Sequence, residues 1–375
     1  MKNILRLLIV ALLPVFACNN AQTTRIYVGT YTGQGVEKGF HIIDVDLANG
    51  VFNLVAEVDA GTSPSYICIS KKHNMVYAIN EVNMFNGVRG LGSVTALKID
   101  VKSGTAEKVK ELAVPNGGPC HISIMPDEDF LLVSNYGGGS VAVVRLDAAG
   151  LPSEVTDVLI FSTEEGGSGR GHMAILSPNG KKVYLTCLAL DKVFIFDFDK
   201  TAGKLTQTGY GNVSQGAGPR HFTFNKDGSK MYIINELSST MTVLDVASDG
   251  SLSEIQTIST LPEYWAERNA CAAIQLSKDG NYLYGSNRGH NSIVTYKVAA
   301  DGRLSLVGFT SDGINWPRNF TLDPSGKYLL VGNERAGNIG LFTIDKASGL
   351  PVATGITYAL PVSGDVYKRV ACIEF

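Results

Sequence analysis

Apolar and polar residues alternate over residues 222–225, where Phe222 and Phe224 are each followed by a polar residue. A period of two is typical of a pleated strand with one buried face. The dipeptide Asp227-Gly228 comes next, followed by the apolar run 231–234. This order predicts two antiparallel strands that are joined by a tight turn.

The same hairpin pattern recurs six times along the chain, at steps of 46 to 55 residues. Its turns fall at His73, Glu128, Gly180, Gly228, Gly280 and Gly326, and seven residues later come Asn80, Asn135, Cys187, Asn235, Asn287 and Asn333. Self-similarity at this period, with strands inside each copy, predicts a β-propeller with one four-stranded antiparallel blade per copy.

Two strand-like segments at the ends of the chain lack a hairpin partner in sequence. The segment 25–31 resembles the second strand of a copy, and the segment 369–375 resembles a first strand. Joined together they make a seventh blade, which removes free sheet edges. The sequence therefore predicts an all-β, seven-bladed propeller over residues 19–375, whose closing blade is shared by the N- and C-terminal strands.

Residues 1–18 have the pattern of an export signal. Lys2 and Arg6 precede an apolar run, 7–17, that is too short to span a membrane as a helix. The tetrapeptide 15–18 resembles a bacterial lipoprotein cleavage box with Cys18 as the lipidated residue. We expect an exported protein that is either periplasmic or lipid-anchored at Cys18, with ordinary cleavage near Ala21 as the alternative.

Composition excludes several classes of function. The formal net charge of −3 leaves no basic footprint for nucleic acid. No Gly-x-Gly-x-x-Gly motif precedes a helix and no phosphate loop occurs, so no cofactor is expected. The other five cysteines include no Cys-x-x-Cys pair, which predicts neither zinc nor a disulfide framework. We expect a monomer without metal.

Chemistry is expected at one end of the propeller channel. The first strand of each blade lines the channel and the second returns antiparallel to it, so the start of one and the end of the other share a face. The expected catalytic residues at this mouth are His172, Arg220, Glu236 and Arg288, and the expected substrate-binding residues are Arg318, His121, His221, Glu81 and Glu334. For His121 and His221 a structural role inside the blade is favoured, because pleat alternation turns them away from the channel.

This set of residues suits the hydrolysis of an activated ester. Several arginines can bind an anionic substrate and stabilise the oxyanion that forms when water attacks a carbonyl. Glu236 or His172 can take the proton from that water. No Gly-x-Ser-x-Gly motif supplies a nucleophile. General-base hydrolysis of a lactone is the simplest fit, and lyase or isomerase chemistry fits almost as well.

Two motif pairs carry a family resemblance. They are 218–221 (Gly-Pro-Arg-His) with 235–240 (Asn-Glu-Leu-Ser-Ser-Thr), and 286–290 (Ser-Asn-Arg-Gly-His) with 317–320 (Pro-Arg-Asn-Phe). Together they resemble the seven-bladed lactonase propellers, which include bacterial 6-phosphogluconolactonase and fungal carboxy-cis,cis-muconate cyclase. The resemblance implies metal-free hydrolysis of 6-phosphogluconolactone, or the related cycloisomerisation. It also implies a catalytic His, two Arg and a Glu, which match His172, Arg220, Arg288 and Glu236.

Two departures and two rival classes stay open. Residues 273–275 and Asn319 differ from many relatives, and the export signal points to a lactone other than a cytoplasmic metabolite. One rival is a calcium-dependent lactonase, for which oxygen ligands are offered by Glu81, Asn135, Asn235, Glu236 and Asn333. The other rival is a non-catalytic propeller that binds a protein or glycan on its face.

Overall fold

The computed structural model describes residues 23–33, 38–361 and 369–375, and these form a ring of seven four-stranded antiparallel sheets. The predicted all-β, seven-bladed propeller is therefore confirmed. The proposed signal segment 1–18, with Cys18, lies outside the described residues. Within the described ranges, no helix has the length and apolarity needed to cross a membrane.

Blades are numbered here by the position of their innermost strand in the chain. Blade 1 comprises Tyr66–Ser70, Met75–Asn80, Leu91–Ile99 and Ala106–Pro115. Blade 2 comprises Pro119–Ile124, Phe130–Asn135, Ser140–Leu146 and Pro152–Ile160. Blade 3 comprises Gly171–Leu176, Val183–Cys187, Lys192–Asp199 and Lys204–Asn212. Blade 4 comprises Pro219–Phe224, Lys230–Asn235, Thr240–Val246 and Leu252–Ser259. Blade 5 comprises Ala270–Leu276, Tyr282–Arg288, Ser292–Val298 and Leu304–Thr310. Blade 6 comprises Pro317–Leu322, Tyr328–Asn333, Asn338–Ile344 and Pro351–Ala359.

The seventh blade is closed by both ends of the chain. Its innermost strand is Arg369–Glu374, and Thr24–Tyr31, Phe40–Asp46 and Val51–Val58 follow outward. The first two pair antiparallel, with Tyr27 opposite Glu374. This is the predicted closure. Two small elements complete the fold: a hairpin of Met84–Phe85 with Val88–Arg89, and a 3-10 turn at Leu188–Leu190.

The hydrophobic core lies between neighbouring blades. One cluster joins Leu132 and Val143 of blade 2 to Leu185 and Phe196 of blade 3, and similar clusters fill the other junctions. The second strands of blades 1 and 2 are buried along their whole length, whereas outer strands such as Leu252–Ser259 alternate toward solvent. Burial on both faces explains why the second strands read as nearly unbroken apolar runs.

Four of the five recurrent asparagines tie their blade to the preceding one, whereas Asn235 bonds to Thr240 and Thr242 of its own blade. Asn80 Nδ2 donates to the carbonyl of Ala60 at 2.6 Å, and Asn287 Nδ2 donates to that of Thr260 at 2.7 Å. Both acceptors lie just after the outer strand of the preceding blade. Because these amides are buried, the bonds replace water that the backbone carbonyls lose on folding. These four asparagines link blades 7 and 1, 1 and 2, 4 and 5, and 5 and 6 at the mouth end of the second strands.

Candidate active site

The mouth of the channel opens into a polar cavity of about 310 Å³, and every blade contributes to it. Its walls are Tyr31, Glu81, Cys120, Tyr136, His172, Arg220, Glu236, Arg288, Arg318, Glu334 and Arg369. Seven of the nine predicted site residues are among them: His172, Arg220, Glu236, Arg288, Arg318, Glu81 and Glu334. The structure therefore brings together the proposed catalytic set, while His121 and His221 lie outside the cavity wall.

A larger groove of about 740 Å³ lies between blades 5 and 6, at the end that holds the hairpin turns. Its walls carry Tyr282, Tyr328 and Leu322, with lysines around them. The smaller cavity is the better candidate for chemistry, because ionisable groups from several blades converge there with shifted pKa values.

β-Bulges at the mouth end of the inner strands aim the side chains into the cavity. In blade 4, Pro219 pairs with Asn235 and His221 with Ile234, which leaves Arg220 as an extra residue. The same shift leaves His172 unpaired in blade 3 and Arg318 unpaired in blade 6. A bulge bends the strand and re-aims its side chain, often beside an active site. The strict alternation of side chains along a regular strand does not predict the direction of these bulged residues.

Glu236 lies between two buried arginines. Its Oε2 accepts from Arg220 Nε at 2.8 Å and pairs with Arg288 Nη2 at 3.0 Å. Backbone carbonyls hold the arginines from behind, Ala272 for Arg220 at 2.7 Å and Cys271 for Arg288 at 2.9 Å. Among the described residues, Oε1 of Glu236 has no hydrogen-bond or ion-pair partner. One carboxylate oxygen is thus left for a water molecule.

The charges of Arg220 and Arg288 determine the protonation state of Glu236, and the three side chains form a charged trio. Burial raises the pKa of Glu236, but the charges of Arg220, Arg288 and Arg318 outweigh burial, so its pKa is lowered from 4.5. Burial lowers the pKa of Arg288 to about 10, and Arg220 adds to that effect. At neutral pH the trio is a carboxylate flanked by two guanidinium ions, with one positive charge in excess.

A second polar cluster occupies the side formed by blades 6, 7 and 1. Tyr31 Oη donates to Glu81 Oε2 at 2.6 Å and accepts a hydrogen bond from Arg318 Nη2. Arg369 Nη1 donates to Glu334 Oε1 at 3.1 Å. Burial raises the pKa of Tyr31 well above its usual value, so the phenol keeps its proton. This side of the cavity holds two arginines and two glutamates, and its charges balance.

Beneath the cavity, His121, His172 and His221 form a contact cluster with Tyr66. The rings of His172 and His221 are 5.0 Å apart, and those of His121 and His221 are 5.6 Å apart although blade 3 separates their blades. His121 and His221 therefore face the channel, and the favoured interpretation that they point into the blades was wrong. The bulges that precede them interrupt the pleat alternation on which that interpretation rested.

All three histidines are neutral. Burial lowers the pKa of His121 to about 3 and the pKa values of His172 and His221 well below 6.5, with Arg220 adding to each effect. Within the described part of the chain, one ring nitrogen of each has no hydrogen-bond partner. The positive charge of the nearby Arg220 disfavours a further positive charge in this cluster.

We expect acid to destabilise the fold through these histidines. The unfolded chain binds protons near pH 6.5 while the folded histidines stay neutral, so the free energy of unfolding falls as pH drops below 6.5. Each contributes a loss of roughly 2 kcal/mol at pH 5 relative to pH 8. Denaturant unfolding of wild type and His121→Phe at both pH values checks this. An equal loss in both proteins would show that His121 has no part in it.

The arrangement disfavours the calcium alternative. Asn135, Asn235 and Asn333 do not line the cavity, and their side-chain amides bond within or between blades. Among the described residues, no group of three or more His, Cys, Asp or Glu side chains is arranged to hold a metal ion. Glu81 and Glu236, the other two offered ligands, are engaged by a phenol and by two guanidinium ions.

Sequence reasoning missed Arg369 as a site residue. Arg369 lies opposite Tyr31 at the start of the innermost strand of blade 7, as Arg318 lies at the start of that of blade 6. In the other blades, candidate site residues were found by counting back from the hairpin turn that joins the two inner strands. The closing blade has no such turn, because its two inner strands come from opposite ends of the chain. Comparing the starts of the inner strands would have found it.

Fold and cavity together define a propeller with a polar, arginine-rich site on its axis, and comparison with known proteins places it in a family. Residues 25–367 match the model of the family described as "Lactonase, 7-bladed beta-propeller". The chain belongs to this seven-bladed β-propeller lactonase family. Lactonases are carboxylic ester hydrolases, which confirms the class of enzyme expected from the sequence.

Individual relatives cover almost the whole chain. It is 31% identical over 348 residues to the 6-phosphogluconolactonase of Bacillus subtilis, covering 90% of this chain and 97% of that protein. A 6-phosphogluconolactonase of Formosa agariphila is 29% identical over 344 residues, with coverage of 86% and 93%. The solved periplasmic gluconolactonase of Pseudomonas aeruginosa aligns with a TM-score of 0.83 at 27% identity, covering 94% of this chain and all of that one.

Proposed function

We propose that this protein hydrolyses an anionic sugar lactone of the 6-phosphogluconolactone type, with water as the nucleophile. The observation that carries the proposal is Glu236, an ionised carboxylate held between Arg220 and Arg288 inside the cavity with one oxygen left over. The names of the Bacillus and Formosa relatives support the choice of substrate class.

In the proposed reaction Glu236 acts first as a base and then as an acid. It accepts a proton from water while the water oxygen bonds to the lactone carbonyl carbon. Arg220 and Arg288 stabilise the resulting oxyanion, whose charge their excess positive charge offsets. When the bond between the carbonyl carbon and the ring oxygen breaks, the departing alkoxide takes the proton back from Glu236. The product is the open-chain acid.

Location and assembly are part of the proposal. We propose that the protein is exported, which agrees with the name of the periplasmic Pseudomonas relative and with the pattern of residues 1–18. Lipidation at Cys18 is the finer version of this proposal. We also propose that it works as a monomer, since one chain supplies all seven blades around the cavity.

A panel of lactones, phosphorylated and not, tests the proposed function on the mature protein with and without EDTA. We expect hydrolysis above the spontaneous rate, unchanged by the chelator. Activity that EDTA abolishes and calcium restores would instead support the calcium-dependent alternative. Turnover of carboxymuconate without lactone hydrolysis would support the cycloisomerase, and binding without turnover would support a non-catalytic propeller.

A further inference from the structure

The four cavity arginines come from four consecutive blades, 4 to 7, but they differ in how much they are covered. The side chains of Arg220, Arg288 and Arg318 are 3%, 8% and 17% exposed, whereas that of Arg369 is 52% exposed. Arg369 is therefore the most exposed of the four cavity arginines and lies at the rim of the cavity.

Arg318 and Arg369 share one support. Their guanidinium carbons lie 4.8 and 5.0 Å from the centre of the Tyr31 ring, within the range of cation–π attraction. Glu334 lies between them, pairing with Arg369 Nη1 at 3.1 Å and approaching Arg318 Nη1 only to 3.8 Å. The phenol and the carboxylate thus hold two positive groups side by side without satisfying all their donors.

Several donors of this pair remain open. Within the described residues, the hydrogen bonds of Arg318 go only to Tyr31, and those of Arg369 go only to Glu334. Each guanidinium has five N–H groups, so most of them reach no acceptor among the residues that the structure describes. A group with several acceptor oxygens would satisfy these open donors.

The charge of the whole cavity points to the same kind of ligand. Four arginines face three glutamates there, while Tyr31 keeps its proton and His172 is neutral. A neutral lactone leaves the cavity with its net positive charge, whereas a lactone with an anionic substituent offsets it. Arg220 and Arg288 are the proposed oxyanion donors at the reacting carbonyl, so Arg318 and Arg369 are the arginines left to bind a substituent away from that carbonyl.

We propose that Arg318 and Arg369 form a clamp for the anionic group that a sugar lactone carries away from its carbonyl, and that Arg369 selects lactones with this group over those without it. This inference rests on the proposed function. A phosphate ester and a carboxylate share the required chemistry, because both present the acceptor oxygens that guanidinium ions bind in pairs. Arg369 acts in recognition and takes no proton.

The test compares wild type with Arg369→Gln on three substrates: 6-phosphogluconolactone, unphosphorylated gluconolactone and glucarolactone, whose remote group is a carboxylate. We expect kcat/KM for at least one anionic lactone to fall about 10- to 100-fold more than that for gluconolactone, which corresponds to one lost charge-assisted contact. Most of the change should lie in KM. The anionic lactone with the larger loss identifies the group that the clamp binds.

Arg335→Gln is the matched control, because Arg335 is an exposed arginine on the same face that stacks on Trp316 and does not line the cavity. It should leave the preference between lactones unchanged. Arg369→Lys keeps the positive charge but not the paired N–H donors of the guanidinium, and should give an intermediate loss of kcat/KM for the anionic lactones. Equal losses on all three lactones in Arg369→Gln would overturn the clamp.

Titration with inorganic phosphate separates this inference from the proposed function. Calorimetry on the full chain should show phosphate binding that weakens about 10-fold or more in Arg369→Gln and not in Arg335→Gln. If wild type hydrolyses no lactone, the proposed function fails, yet this titration still decides whether Arg369 binds an anion. Equal phosphate affinity in wild type and Arg369→Gln contradicts the clamp even if lactone hydrolysis is confirmed.

Discussion

Glu236→Gln should lower kcat for lactone hydrolysis by about 100- to 10,000-fold, the usual contribution of a positioned general base. Glutamine keeps the size of the side chain and an oxygen that can accept from Arg220, but it cannot take a proton from water. The measurement is steady-state hydrolysis of the best lactone from the panel, corrected for spontaneous opening. Near-ultraviolet circular dichroism should confirm that the variant keeps its tertiary packing.

Glu154→Gln is the control for the loss of a carboxylate elsewhere on the chain. Glu154 pairs with Arg145 on the outer surface, and its side chain is 58% exposed. Such a pair contributes at most about 1 kcal/mol, so activity and stability should stay near wild type. If Glu236→Gln hydrolyses lactones at the wild-type rate while His172→Gln does not, His172 is the base and the role given to Glu236 is wrong.

The ring of seven blades and the position of the site at the channel mouth could both be predicted from the sequence, for different reasons. The ring follows from the hairpin repeat and the recurrent asparagine, which are local patterns with a fixed spacing. That Arg220 and Glu236 lie at the same end of blade 4 follows from antiparallel pairing, since the start of one strand must meet the end of the next. These inferences need only the chain direction and the position of a turn, whereas the direction of the Arg220 side chain depends on the bulge.

Other parts of the site depend on geometry that a linear pattern does not carry. The direction of His121 and His221 depends on a bulge, which inserts one residue without a sequence signal as plain as Asp-Gly. The pairing of Arg318 with Tyr31 joins blades 6 and 7, and these residues are almost a whole chain apart. Their contact exists because the ends close the ring, and only the assembled structure places the guanidinium against the phenol.

Arg220→Ala should lower kcat/KM about 100- to 1,000-fold through the loss of one oxyanion donor. It also removes one of the two cations that hold Glu236 in a buried place, where Arg288 remains. We expect the free energy of unfolding at pH 7 to fall by about 3 kcal/mol, the lower end for a broken buried pair. Denaturant unfolding and steady-state kinetics measure the two effects separately.

The pH profile of Arg220→Ala tests whether Glu236 is the base that Arg220 keeps ionised. In wild type the pKa of Glu236 is lowered from 4.5, so at every pH where denaturant unfolding shows an intact fold, kcat/KM should hold down to pH 4.5 and decline only below it. Among the charges that lower this pKa, that of Arg220 is the largest, and its removal should move the decline to higher pH. Arg220→Lys keeps a charge but replaces the two nitrogens that bond to Glu236 and to the Ala272 carbonyl with a single one, so its profile should lie between those of wild type and Arg220→Ala. Since Arg220→Gln removes the charge and disturbs packing less, it decides the case if the alanine variant does not fold. An acid limb that is identical in wild type and Arg220→Gln would show that Glu236 does not control the rate.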